Sequence, residues 1–186
     1  MNNIRNKFYN EARKQRSNRY YVNKELGWNI AYQFELTSGS TVYMAFETQD
    51  ERIHAANRRV KVVGLDNQLI DCRVTTLKNA TVDTLGSDIT ATTLFNADLN
   101  SDNGINLKVY DETTTITDEG TEAPFSHRLR ADRKQASQEF ITEEYILREN
   151  GIRVLKFENL GSGDVEVEYA STGYQEIGDE TTEWGD

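Results

Sequence analysis

The chain has one cysteine, one proline and two histidines among 186 residues, and each scarcity removes a class of function. A lone Cys72 cannot form an internal disulfide, and no Cys/His cluster has the spacing of a zinc site, so neither a disulfide scaffold nor a metal centre is expected. No apolar run approaches the ~18 residues of a membrane-crossing helix, so no membrane partner is expected. The first 24 residues are basic and lack the apolar stretch of a secretory signal. There is no Gly-rich phosphate loop, no GxSxG and no HExxH, and no cofactor is expected. Apolar residues make up only 37% of the chain and mean hydropathy is −0.71. Nine Tyr, seven Phe and two Trp are nonetheless too many aromatics for a disordered chain.

Charge is present in excess and unevenly placed. The net charge is −10, yet residues 1–24 hold Arg5, Lys7, Arg13, Lys14, Arg16, Arg19 and Lys24 against Glu11 alone. That arm carries +6, leaving −16 on the remaining 162 residues. Glu176, Asp179, Glu180, Glu183 and Asp186 crowd the other end without a base. A basic arm and an acidic tail on an acidic body suit head-to-tail electrostatic docking between neighbouring subunits. The arm reads as a helix over roughly 3–16, with Ile4, Phe8 and Ala12 on one narrow stripe. Arg5, Lys7, Phe8, Arg13, Lys14, Arg16 and Arg19 are its candidate partner-binding residues. Trp184 is an aromatic anchor candidate in the tail. Nucleic acid is not expected as a partner, because no aromatic-basic platform follows the arm.

From residue 28 the period becomes two, and the rest reads as strands. Trp28, Ile30, Tyr32, Phe34 and Leu36 alternate with polar residues, and Val42, Met44 and Phe46 line a second strand after Thr37–Ser40. Val60–Leu65 and Leu69–Thr75 read as a hairpin around Asp66-Asn67. Tyr145–Arg148 and Ile152–Phe157 read as another around Asn150-Gly151. Thr81–Thr93 reads as an edge strand turning at Gly86-Ser87. Ile105, Leu107 and Val109 alternate, as do Phe125, His127 and Leu129, and Val165, Val167 and Tyr169. Nineteen Thr and sixteen Asn fit a sheet protein with many turns. The expected fold is all-β, an antiparallel β-sandwich of about 7–9 strands with a short N-terminal helical arm. Its parts are a basic arm 1–27, a sandwich 28–170 and an acidic tail 171–186.

Catalytic chemistry finds little footing in these residues, and an enzyme is not expected. His54 and His127 are 73 residues apart, and His127 falls on an apolar face as a core histidine would. Cys72 lies within a strand pattern and reads as a small buried hydrophobe. Asp98–Gly104 imitates a calcium loop, but its glycine falls one place late and Val109 stands where a bidentate Glu belongs, so it reads as a turn. Thr117–Thr121 reads as an Asx/Gly turn. Asn79-Ala80-Thr81 is formally a glycosylation sequon. A carboxylate hydrolase would need two acids facing across a groove.

Three stretches in order, Leu36–Thr48 (LTSGSTVYMAFET), Asn96–Thr121 (with NSDNG, VYDETTT and ITDEGT) and Ile146–Asn159, resemble a family of small virion structural proteins of tailed bacteriophages. The resemblance covers roughly residues 28–170; the arm and the tail fall outside it. It implies a non-enzymatic head protein, most simply a capsid decoration or cement protein in the virion, assembled in the host cytoplasm. Its partners would be the major capsid protein and neighbouring copies of itself, a trimer being one arrangement. A head–tail adaptor or tail-tube component is the alternative within the virion. Outside it, the alternative is a carbohydrate-binding module stacking sugars on Tyr20-Tyr21 and Tyr174.

Overall fold

The computed structural model describes residues 26–97, 104–131, 136–141 and 145–176. The helical arm, its seven candidate residues, Tyr20-Tyr21, the Asp98–Gly104 loop as a whole and Trp184 lie outside these. Among the described residues there are twelve strands: β1 Gly27–Leu36, β2 Thr41–Thr48, β3 Ile53–Gly64, β4 Ile70–Lys78, β5 Thr81–Thr84, β6 Leu94–Asn96, β7 Leu107–Asp118, β8 Thr121–Ala131, β9 Ala136–Ile141, β10 Tyr145–Leu147, β11 Ile152–Asn159 and β12 Val165–Gln175. A single helical turn, α1 Thr90–Thr93, precedes β6.

Two six-stranded antiparallel sheets result. One runs β10–β3–β12–β1–β6, with β9 also on β3; the other runs β5–β7–β2–β11–β4–β8. Taking β4 with β5, β7 with β8 and β9 with β10 as divided single strands, and setting aside the short edge strand β6, leaves eight positions, four to a sheet; the chain changes sheet at every step except from β4/β5 to β7/β8, which pair with each other. This is the jelly roll, two Greek keys wrapped into a sandwich. The expected sandwich is borne out. β12 continues to Gln175, and its last residues pair with the start of β3.

Period-two patterning built the core. Trp28, Ile30, Phe34 and Leu36 of β1 face Met44, Phe46, Leu155 and Phe157 of the opposite sheet, all buried. Phe157 meets Phe34 edge-on at 5.2 Å and Tyr169 at 6.2 Å, geometries worth ~0.5–1.5 kcal/mol per pair beyond area burial. Cys72 is buried in this core as read, and burial pushes its thiol up to about 12.

Both expected hairpins are wrong. β3 and β4, flanking Asp66-Asn67, lie in opposite sheets, as do β10 and β11, flanking Asn150-Gly151. Asn150 does adopt φ +50°, the left-handed backbone that its type favours, but the turn carries the chain across the sandwich. Alternation fixes which face of a strand is buried and says nothing of its neighbour. The Thr81–Thr93 strand is also corrected: only Thr81–Thr84 is extended. The Asp88 carboxylate accepts the Thr90 N–H at 2.9 Å and starts α1.

A long ribbon bends over the second sheet. β4 continues into β5 through Asn79-Ala80, and β7 into β8 through Glu119-Gly120. The two stay paired from Ile70↔Ala131 to Thr84↔Thr115. Because the halves sit at opposite edges of the sheet, the ribbon must arch across β2 and β11. Its bend uses Asn79 at φ +58° and Gly120 at φ +63°. A Cβ on Gly120 would fall 2.3 Å from the Lys78 carbonyl oxygen. The expected Asx turn is present, with the Gly120 N–H donating to Asp118 Oδ1 at 2.9 Å. Beneath the arch, Ala45, Thr75, Leu77 and Val154 are buried on the face opposite the main core.

Candidate functional site

The cavity between the sheets, the outer face under the arch and the loops at one end are places in the described residues that could carry function. The cavity is small, about 30 Å³, and lies among Trp28, Phe46, Arg58, Thr76, Tyr169 and Ser171. Arg58 is buried, and its Nη1 donates to Thr76 Oγ1 at 3.3 Å. That volume admits about one water, far below the ~300 Å³ at which small-ligand sites begin.

On the outer face, tyrosines donate to carboxylates. Tyr43 and Lys156 both reach Glu119 at the bend, each at 2.8 Å, and Tyr110 reaches Glu47 at 2.7 Å. Tyr32, on the core-facing side of β1 and stacked on Phe34, likewise reaches Glu112 of the opposite sheet at 2.6 Å. Burial, then the carboxylate partner, pushes Tyr43 and Tyr110 up to about 12, and Tyr32 upward as well. The folded state therefore holds these phenolic protons more tightly than the unfolded chain, which releases them near ~10. Stability is expected to be intact below pH ~10 and to fall as pH rises towards 12. Urea midpoints measured across that window test this: Tyr43→Phe with Tyr110→Phe should flatten the alkaline decline, and an unchanged slope would count against these pairs.

The end loops are built differently. The β1–β2 turn (37–40), the β3–β4 link (65–69) and the β11–β12 loop (160–164) meet at one end of the sandwich. Asn159, 1% exposed, ties them. Its Nδ2 donates to the carbonyls of Leu36 at 3.0 Å and Gly163 at 2.9 Å, and its Oδ1 accepts the Gly161 N–H at 3.0 Å. Asp164 accepts the Ser38 N–H at 2.8 Å, and Ser38 Oγ donates to the Gly161 carbonyl at 2.9 Å. The Leu65 N–H donates to the Asp164 carbonyl at 3.0 Å, and the Leu160 N–H to the Asp71 carbonyl at 2.7 Å. Beside this end, Arg128 grips Asp71 with two bonds of 2.7 Å and holds its carboxyl below the usual range. On these tied loops Leu65, Leu69 and Leu160 stand 46%, 49% and 52% exposed. Three half-exposed leucines on cross-bonded backbone form a surface suited to being covered.

Sequence reasoning missed this platform, since each leucine lies in a turn-rich stretch and only the topology brings the loops together. The histidines do not converge. His127 is half-buried on β8 opposite Val74. His54 stacks on Tyr174 at 4.4 Å with Nε2 3.2 Å from Glu176 at the other end. Tyr174 is 8% exposed, so its ring is closed to a stacking sugar, which corrects that candidate. Among the described residues no group of three His, Cys, Asp or Glu could hold a metal.

The sequence matches no protein-family model and no curated protein. Among solved structures, a chain from the full particle of Deformed Wing Virus aligns at 14% identity and TM-score 0.27, over 81% of this chain and 79% of that one. A chain of the T13 particle of infectious bursal disease virus aligns at 14% identity and TM-score 0.19, over 81% of this chain and 39% of that one. That virus's VP2 subviral particle gives 13% identity and 0.19, over 80% and 41%. The chain thus spans about two-fifths of the bursal disease virus chains. At such scores the jelly roll rests on the strand order itself.

Proposed function

We propose that this chain is a non-enzymatic structural protein of a virion, a decoration or cement protein that covers the capsid shell of a tailed bacteriophage in many copies. The observation that carries the reading is the leucine platform. Its loops are tied by side-chain bonds, so little ordering entropy opposes docking. The jelly roll occurs in capsid proteins and in lectins alike, and the motif resemblance favours the first. In this reading Leu65, Leu69 and Leu160 meet the shell, while Arg5, Lys7, Phe8, Arg13, Lys14, Arg16 and Arg19 engage carboxylates of the major capsid protein or a sibling copy. Single exposed ion pairs contribute ~0–1 kcal/mol, but repeated contacts on a lattice add through multivalency.

Copies per particle, counted by quantitative mass spectrometry of purified virions against the major capsid protein, test this reading. Shell-wide stoichiometry is expected. A single ring's worth would move the chain to the head–tail adaptor, and absence from the particle would overturn both. Leu69→Asp with Leu160→Ser should weaken shell binding by about tenfold or more, since burying a leucine is worth ~1.5–3 kcal/mol, with little change in thermal stability. Occupancy that survives near-molar salt would remove the arm's charge from the mechanism while leaving the platform.

A further inference from the structure

At the end of the sandwich opposite the leucine platform, a groove of about 310 Å³ opens between the β10–β11 turn and the end of β4. Its walls pair apolar and cationic groups: Ile146 and Ile152, 51% and 47% exposed, with Lys78, Arg148 and Arg153. On a chain of net charge −10 this basic, apolar recess stands out, and its volume lies at the lower end of small-ligand sites. The chain's own acidic segment begins beside it. The Glu176 carboxylate lies 4.0 Å from Arg52, and Arg52 Nε donates to Glu149 at 2.6 Å. Glu149 follows Arg148 in the turn that forms the groove's wall. Beyond Glu176 come Asp179, Glu180, Glu183 and Asp186, no base, and one large aromatic, Trp184. Those eight steps from Glu176 to Trp184 span up to ~26 Å at ~3.3 Å per residue, against a spacing between stacked sheets of ~10 Å.

We propose that the groove formed by Ile146, Ile152, Lys78, Arg148 and Arg153 is the docking site of the chain's own C-terminal segment 177–186, with Trp184 against the isoleucines and the acidic residues against the cations. An indole buries a large apolar area in one step, and the cations favour a carboxylate-rich occupant over an apolar or basic one. The short tether gives an effective concentration of ~1 mM. At that level even a contact with Kd of ~0.1 mM is about nine-tenths closed. The proposal is independent of the virion reading, because it concerns the isolated chain.

Trp184 fluorescence tests it, taken as the difference between the full chain and its Trp184→Phe variant; the buried Trp28 that remains reports folding. The Trp184 signal should be blue-shifted and poorly quenched by acrylamide at every protein concentration. Arg148→Glu with Ile152→Ser should raise its quenching constant several-fold, while Trp28 emission stays unchanged. Ending the chain after Glu176 should expose the amides of 146–152 to faster hydrogen exchange. Protection that grows with protein concentration would assign the groove to a neighbouring copy's tail and overturn the intramolecular site. Equal quenching of Trp184 in the parent and the double variant would overturn the groove itself.

Discussion

Gly173→Ala is expected to lower the melting temperature by roughly 5–12 °C, or to yield insoluble protein. Gly173 lies within β12, where the register with β3 slips by one residue after Thr172. It also sits opposite Trp28 in the register with β1. A Cβ there would fall 1.8 Å from the His54 carbonyl oxygen and 2.5 Å from Trp28 Cζ2. Neither neighbour can give way cheaply. The carbonyl belongs to the β3 backbone paired with β12, and the indole is 2% exposed in the main core. Overpacking costs ~1–3 kcal/mol and sometimes more, and for a chain of this size each kcal/mol shifts the melting temperature by ~2–4 °C. Gly39→Ala is the control: at φ +72° with nothing within 4 Å, it should incur only the backbone penalty, ~1–2 kcal/mol. A melting temperature for Gly173→Ala within ~2 °C of the parent would contradict the close approach.

The contrast between these glycines marks how far the sequence could be read. Faces were legible: Trp28, Ile30, Phe34 and Leu36 were assigned inward from alternation alone, as were Val165, Val167 and Tyr169, and all are buried. Left-handed turn residues were legible too, with Asn150 and Gly120 both at positive φ. Neighbours were not. Asp66-Asn67 and Asn150-Gly151 carry hairpin chemistry, yet in this jelly roll the strands they join belong to opposite sheets, and pairing partners such as β12 with β3 are 107 residues apart at Lys61–Glu168. No local signal encodes that choice; it follows from burying every apolar face at once. The leucine platform shares this origin, since Leu65, Leu69 and Leu160 come together only after the loops of three connections are stacked. Gly173 lay in a stretch read as tail, and its requirement comes from Trp28, 145 positions away.

Asn159→Ala is expected to lose ~3–6 kcal/mol, the second large effect, and to weaken shell binding with it. The side chain satisfies two carbonyls and one N–H within a region sealed from water. Each group left unpaired costs ~1–3 kcal/mol, far more than the small cavity would suggest. Stability and docking should fall together, because the same three bonds hold the loops that present the leucines. Asn159→Asp separates chemistry from shape. It keeps an oxygen for the Gly161 N–H but turns a second oxygen towards the Leu36 and Gly163 carbonyls. Ionised, it meets them with like polarity; protonated, it can donate to one. Asn159→Asp should therefore be strongly destabilised near neutral pH and regain part of the loss as pH falls through the carboxyl range. The parent chain should show no such gain. Chemical denaturation at pH 7 and near pH 4 measures the difference. An Asn159→Asp chain as stable as the parent at pH 7 would mean that the amide donor does not tie the loops, and the rigidity assigned to the platform would then fall with it.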